Sequence, residues 1–515
     1  MNSNGLSLNN LPFSFYSMTM ARGLRAIKKR NPSKIAIRHG EKTRTFEELS
    51  TRCDSLTFAA LSVLGLRKGD NGAIFAKNSI DYVEIVCGFP EAGVPLALIN
   101  PALKGREVKE ICDDAEAKIL FVDDNTADAI SDISFKTVEK IIHIGRELEL
   151  LIKNAVMPDE LPEVHEWDPW TIPYTSGTTG KPKGVILSHR SRLLGFYQIA
   201  VEYGCFSPED KFLGTTPMHH GAGIAYPLAA IMFGGYTEIL DKFDPELLLK
   251  KLKENNFSGV FTVPTQHHNI FSLEKSILEK YRKPNIKSII SNAAPLSQHL
   301  KYKIVDYFGD NVLHETYGST ECGFVSNLRP PYQLSKINCV GTPFTQVLVK
   351  LTDNNFKEVG VDEPGELWVK TSTAFNGYWN KPEATSDAFN EDRWISVGDV
   401  GRRDEDGFIY IVDRIKDMII SGGVNIYPRE IEEVLLSHPD ILENSIVGVP
   451  DDKWGERLRA FLVTKGNKNI TFEELSSFCE DKLSRYKIPK DIKVIDSLPK
   501  NATGKILKRE LRKIN

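Results

Sequence analysis

The chain has 515 residues, of which 41% are hydrophobic and 26% charged, with a formal net charge of -4. That length exceeds what one hydrophobic core fills, and so balanced a charge gives no electrostatic case for nucleic acid or an anionic membrane as partner. Seven cysteines, odd in number and without a CxxC pair, argue against a disulfide framework and read as reduced, buried thiols of a cytoplasmic protein.

In chain order, Met1-Asn2-Ser3-Asn4-Gly5 lacks the basic and apolar regions of a signal peptide, and Lys28-Lys29-Arg30 reads as a solvated face. From about Leu24 to Asp123, helical and strand patterns alternate. Thr45 with Glu48 three residues on forms a capping box, and Gly72–Ala76 and Lys118–Val122 read as buried strands. Such alternation predicts parallel sheets covered by helices. The weakly polar run Ala222–Gly235 is too short to span a bilayer, so no integral membrane association is expected. Between Asn338 and Asp413 the pattern changes to short strands with frequent turns, which predicts a small antiparallel β-barrel. Beyond Lys416, a helix signal at Arg429–Leu436, strands at Ser445–Val449 and Ala460–Val463, and a helix over Phe472–Leu483 predict an α+β domain of about 100 residues.

The densest chemistry lies in Tyr174-Thr175-Ser176-Gly177-Thr178-Thr179-Gly180-Lys181-Pro182-Lys183-Gly184. Glycines let backbone N–H groups approach an anion, hydroxyls add donors and lysines add charge, so the run reads as a triphosphate cradle. It is not a Walker loop: two residues rather than four separate Gly177 from Gly180, and Pro182 follows Lys181. A flexible surface loop is the alternative, and the flanking apolar runs argue against it. In Glu315-Thr316-Tyr317-Gly318-Ser319-Thr320-Glu321, an aromatic, a glycine, hydroxyls and a carboxylate suit stacking a base, passing close to phosphate and holding Mg²⁺ through oxygen. A core tyrosine beside an exposed turn is the plainer reading. Asp399 and Arg414 suit ribose hydroxyls, and equally a turn aspartate and a surface arginine. Neighbouring histidines, His219-His220 and His267-His268, raise a metal site, which no Cys or carboxylate pattern supports.

The Ser-Gly-Thr-Thr-Gly-Lys-Pro-Lys-Gly core resembles the signature of the adenylate-forming superfamily of acyl-CoA synthetases, peptide-synthetase adenylation domains and luciferases, and the resemblance runs over nearly the whole chain. It implies an α/β fold with a large N-terminal domain of doubly wound α/β subdomains plus a small β-barrel over residues 1–415. Residues 416–515 are implied to be a mobile α+β C-terminal domain. It implies an AMP-forming carboxylate–CoA ligase: a fatty or aromatic acid is adenylated by ATP with Mg²⁺, and the acyl group passes to coenzyme A. A domain that loads a carrier protein is the alternative, disfavoured because no carrier is expected after Leu511–Asn515; a silent nucleotide-binding protein is the second. A homodimer is the assembly entertained.

The resemblance also assigns roles. Thr175 to Lys181 and Lys183 would cradle phosphates, and Asn292, Ala293 and Ala294 would flank adenine and the acyl pocket. Tyr317, with Glu315, Thr316 and Gly318 around it, would stack on adenine; Thr320 would meet the α-phosphate and Glu321 support Mg²⁺. Asp399 and Arg414 would hold ribose, and Lys416 would be the hinge. Gly422 and Gly423 would line the pantetheine tunnel, with Trp454 near CoA, and these two also read as a Gly-Gly turn. Lys505, in Thr503-Gly504-Lys505, would be the catalytic lysine. His220 would sit by the substrate carboxylate, while His219 stands where the family has Phe or Tyr.

Overall fold

A computed structural model of the protein describes residues 16–175, 182–500 and 506–514. The chain divides into two compact units: the described residues up to Leu348 together with Lys370–Phe389, and Val349–Val369 together with the residues from Asn390 onward. A division near Lys416 would cut inside the second unit and stands as a proposal.

In the first unit, one sheet runs in the order Cys339–Pro343, Gly323–Leu328, Leu313–Ser319, Ser288–Ser291, Gly259–Thr262, Lys211–Gly214, Tyr236–Ile239, Ile35–His39, Lys42–Thr45. The strands from Leu313–Ser319 to Ile35–His39 pair in parallel, and the antiparallel neighbours close both ends. Ser288-Ile289-Ile290-Ser291 and Gly259-Val260-Phe261-Thr262 are buried at every position, as strands with helices on both faces must be. Leu249, Phe257, Ile289, Leu300 and Ile304 fill the layer on one side. A second sheet orders Lys140–His143, Ala117–Val122, Asn71–Phe75, Leu96–Leu98 and Pro169–Thr175, all parallel, and ends in the antiparallel Lys183–Gly184. This is the doubly wound α/β pattern expected from the sequence.

The expected capping box is present: the Thr45 hydroxyl accepts from the Glu48 N–H at 3.2 Å, and the Glu48 carboxylate accepts from the Thr45 N–H at 2.8 Å. The run Ala222–Gly235 lies mostly in the buried helix Gly221–Met232. Among the described residues no helix is long and apolar enough to cross a membrane.

The second unit holds the antiparallel strands Gly365–Thr371, Ile395–Arg403 and Ile409–Arg414, followed by a five-stranded sheet. In that sheet Gly455–Thr464 pairs antiparallel with Ile441–Asp451 and parallel with Asp491–Val494. Helices Pro428–Leu436 and Phe472–Cys479 bury Ile431, Leu435 and Leu475 against Ile446, Ala460 and Leu462. The α+β expectation holds.

Candidate active site

Parallel α/β sheets bind ligands beyond the carboxyl ends of their strands, where the connecting loops leave the sheet. In the first unit four adjacent strands end in residues that the sequence singles out. Lys211–Gly214 leads to His219 and His220, Gly259–Thr262 to His267, Ser288–Ser291 to Asn292–Ala294, and Leu313–Ser319 carries Tyr317 itself. Fold and motif therefore select the same edge.

Tyr317 and Gly318 end that strand, and Thr320 and Glu321 form the turn into Gly323–Leu328, closed by a 3.1 Å bond from the Cys322 N–H to the Ser319 hydroxyl. The turn needs glycine on both legs. A Cβ on Gly318 would meet the Gly323 carbonyl oxygen at 2.1 Å, and Gly323 itself has φ +75°. Glu321 accepts at Oε1 from the Tyr378 hydroxyl, 2.9 Å away. Burial first, then the Glu321 charge, raises the Tyr378 pKa, so the phenol stays a neutral donor. The Lys183 ammonium lies 5.0 Å from the centre of the same ring. Lys183 also pairs directly with Thr175 across the two strands, so the ends of the loop expected to cradle phosphates face each other. Residues 176–181, which include Ser176, Gly177, Thr178, Thr179, Gly180 and Lys181, lie outside the described residues, as does Lys505.

Glu315 and Thr316 are turned into the protein. Glu315 forms an ion pair with the fully buried Lys301 and accepts the Leu296 N–H at 3.1 Å, which fixes the loop after Ala294. The Thr316 hydroxyl pairs with the Tyr203 hydroxyl at 2.6 Å inside the core. On that loop Ala293 adopts φ +76°, and it and Ala294 are exposed. A non-glycine residue held in this region is a strained feature that clusters at ligand sites.

His219 and His220 lie with ring centres 4.0 Å apart and planes tilted by 48°, at the start of the helix Gly221–Met232. His219 is buried, and among the described residues its Nε2 has no hydrogen-bond partner. Desolvation, aided by its neighbour His220, pulls its pKa down to about 3, and burial also lowers that of His220, whose edge is open to solvent. Both imidazoles are neutral at pH 7. Asn78 clamps their loop, donating to the Thr216 carbonyl at 2.9 Å and accepting from the Met218 N–H at 2.8 Å. Gly223 is forced, because a Cβ there would lie 2.0 Å from the Pro217 carbonyl oxygen. His267 is fully buried on the Thr262 hydroxyl at 2.8 Å, and desolvation takes its pKa to about 3. Among the described residues no cluster of three or more His, Cys, Asp or Glu side chains could cage a metal. One carboxylate, Glu321, with its second oxygen unpartnered among the described residues, fits Mg²⁺ held mainly by phosphate and water. A cleft of about 1170 Å³ elsewhere on this unit, lined by Arg38, Glu238 and Asp241 among others, touches the histidine loop only through Asn78.

In the second unit Asp399 and Arg414 are register partners across two strands, and Arg414 Nε lies 2.6 Å from the nearly buried Asp399 carboxylate. Asp413 accepts from the backbone N–H groups of Arg414 and Arg429. Lys416, whose pKa is lowered by burial, sits in a short turn where its carbonyl accepts from Arg512 at 3.3 Å. Gly422 and Gly423 form the tight turn between Ile419–Ser421 and Val424–Ile426, with φ of +60° and +77°. Gly422 lies under Trp454, where a Cβ would meet the indole at 2.8 Å, whereas Gly423 faces open space.

Sequence reasoning missed Tyr378, Asn78 and Lys301. Each acquires its role only by contact with residues distant in sequence.

A family model described as AMP-binding enzyme matches residues 24–379, and one described as AMP-binding enzyme C-terminal domain matches residues 430–505. A 2-succinylbenzoate–CoA ligase of Bacillus cereus is 33% identical over 501 residues, 96% of this chain and 98% of the relative. ATP-bound MatB from Rhodopseudomonas palustris superposes with a TM-score of 0.85 at 27% identity, covering 96% of this chain and 99% of that one. The o-succinylbenzoate CoA synthetase of Bacillus subtilis, in complex with its acyl-adenylate intermediate, gives 0.84 at 29% identity, covering 97% and 99%.

Proposed function

The chain belongs to the AMP-binding enzyme family and is an AMP-forming carboxylate–CoA ligase, and on that premise we propose that its acid is aromatic and carries a second polar group, as 2-succinylbenzoate does. The observation that carries the proposal is His219: a neutral, buried imidazole next to His220 at the end of its loop, whose Nε2 has no hydrogen-bond partner among the described residues. An unpaired buried nitrogen costs free energy, and a polar group on the acid would relieve it, whereas a plain alkyl chain would not. The Bacillus cereus and Bacillus subtilis relatives act on, or hold, such an acid.

The substrates are the acid, ATP with Mg²⁺ and coenzyme A. The acid carboxylate attacks the α-phosphorus, the bond to pyrophosphate breaks, and the coenzyme A thiol then displaces AMP from the acyl carbon. In this reading Thr175 to Lys183 surround the triphosphate, Tyr317 stacks on adenine and Asn292–Ala294 flank it. Thr320 donates to the α-phosphate, and Glu321 would hold Mg²⁺, which offsets phosphate charge when bound. Lys505 offsets repulsion between carboxylate and phosphate, and His220 donates to the carboxylate. Asp399 and Arg414 hold the ribose, Lys416 is the hinge between residues 1–415 and 416–515, and Gly422, Gly423 and Trp454 meet pantetheine. Seven free cysteines, all buried, support a cytoplasmic setting, and light scattering decides between a monomer and a homodimer.

Pyrophosphate release with 2-succinylbenzoate, benzoate, octanoate and malonate, with and without coenzyme A, tests the proposal. The expected order puts 2-succinylbenzoate first, with AMP as the nucleotide product. Equal or better turnover of octanoate would refute the polar aromatic acid.

A further inference from the structure

The segment Phe375–Trp379 touches both charged motifs of the first unit. Its Phe375 N–H donates to the Glu321 carbonyl at 2.8 Å. Its Asn376 and Trp379 N–H groups donate to the carbonyls of Ile186 and Gly184, each at 2.8 Å, and the Gly377 carbonyl accepts from Ile186 at 2.9 Å. Tyr378 is thereby stitched between the strand leaving the phosphate loop and the hairpin that carries Glu321. Its own backbone N–H is held by the Thr385 hydroxyl at 2.9 Å, and its ring packs edge-on against Phe375 with centres 5.0 Å apart.

We propose that Tyr378 is a positioning residue of the nucleotide site, holding the Glu321 carboxylate by its hydroxyl and the Lys183 ammonium by its ring. The two opposite charges then stay apart, and each remains open to a Mg·triphosphate. The proposal rests on the reading of Glu321 and Lys183 given above. A lysine and a glutamate in a half-buried site attract strongly, and a direct pair would cancel the charges that phosphate and metal need. Among the described residues no ion pair joins Lys183 to Glu321. A phenol solves the conflict because it bears no charge. Its face attracts the ammonium, while its O–H occupies one carboxylate oxygen and leaves the other for a cation. Tyr378 touches neither substrate nor reacting atoms in this account; it acts through its two partners.

The test is binding of a non-hydrolysable ATP analogue by calorimetry across a series of Mg²⁺ concentrations, with no acid or coenzyme A present. Tyr378→Phe keeps the ring over Lys183 and removes the bond to Glu321. It should raise the Mg²⁺ concentration for half-maximal binding about tenfold, the usual effect of one lost hydrogen bond to a charged group, while Mg²⁺-free binding is unchanged. Tyr378→Ala also frees Lys183 and should weaken Mg²⁺-free binding. In a Glu321→Gln background, Tyr378→Phe should add nothing. The same Mg²⁺ dependence in Tyr378→Phe and wild type, with a shift in Glu321→Gln, overturns the positioning role alone. No shift in Glu321→Gln overturns it together with the metal reading of Glu321. Melting curves of Tyr378→Phe, which removes a single oxygen atom and keeps the ring, check that the variant is folded.

Discussion

The Asp413 carboxylate accepts the Arg429 N–H at 2.8 Å, so a residue of the strand Ile409–Arg414 caps the helix Pro428–Leu436 from the far side of Lys416. The helix needs the help, because its own N-cap, Tyr427, offers no side-chain bond. Asp413→Ala should destabilise the second unit by about 0.5–2 kcal/mol, the usual cost of a lost cap, read from denaturant titration. If the C-terminal part turns about Lys416, this bond must break in the turn. Asp413→Ala should then speed whichever half-reaction follows the turn, seen in stopped-flow thioester formation.

Two other residues should separate the half-reactions. Lys505→Ala should abolish ATP–pyrophosphate exchange yet leave thioester formation from supplied acyl-adenylate. Gly423→Leu should do the reverse. At φ +77° in open space, Gly423→Asn is the control, since asparagine tolerates that conformation and adds little bulk. Lys416→Pro should follow Gly423→Leu, because proline fixes φ and resists rotation. Equal loss of both half-reactions in folded Lys505→Ala and Gly423→Leu would rule out alternation.

His219→Phe removes the nitrogen unpartnered among the described residues while keeping an aromatic ring against His220. Its specificity constant should fall about tenfold for 2-succinylbenzoate and hold or rise for octanoate, as one lost hydrogen bond predicts. Parallel changes for both acids would make His219 a packing residue.

Lys301 is wholly buried with Glu315. Lys301→Met should destabilise the first unit by about 3–5 kcal/mol, because it strands a buried carboxylate. The double variant Lys301→Met, Glu315→Leu should recover much of that stability while still binding nucleotide. Loss of nucleotide affinity in a stable double variant would restore a direct binding role to Glu315.

Four buried histidines carry depressed pKa values through desolvation: about 4 for His189 and His314, about 3 for His219 and His267. The unfolded chain takes up these protons near pH 6.5 and the folded one does not, so stability is full above pH 6.5 and falls as pH drops toward 4. Each histidine contributes at most about 1.4 kcal/mol per pH unit in that window. His267→Gln should flatten the decline between pH 6.5 and 5 by up to about 2 kcal/mol, measured by urea unfolding at both pH values. An unaltered slope would mean that His267 is protonated when folded.

Local signals were legible in the sequence and partner choices were not. Thr45 and Glu48 announce a capping box because both halves lie within three residues, and Gly422-Gly423 announces a turn because two left-handed residues in a row leave little else. Tyr317, Thr320 and Glu321 share one hairpin for the same reason. By contrast Glu315 and Thr316 sit inside a motif yet point to Lys301 and Tyr203, since strand alternation sends neighbours to opposite faces and the partners come from distant helices. Tyr378 lies 57 residues from Glu321, and only the folded sheet brings the two together.

The order of strands also acts as a ruler. Between the strand that ends toward the histidine pair and the strand that carries Tyr317 lie two others, Gly259–Thr262 and Ser288–Ser291. At the usual inter-strand distance, three steps set the two ends roughly 14 Å apart, and under the proposed roles of His220 and Tyr317 that is the spacing between acid and base, fixed by backbone hydrogen bonds rather than by any loop. If those roles hold, loops at one end can be exchanged, altering which acid is admitted, without moving the graduation at which the adenylate would be built.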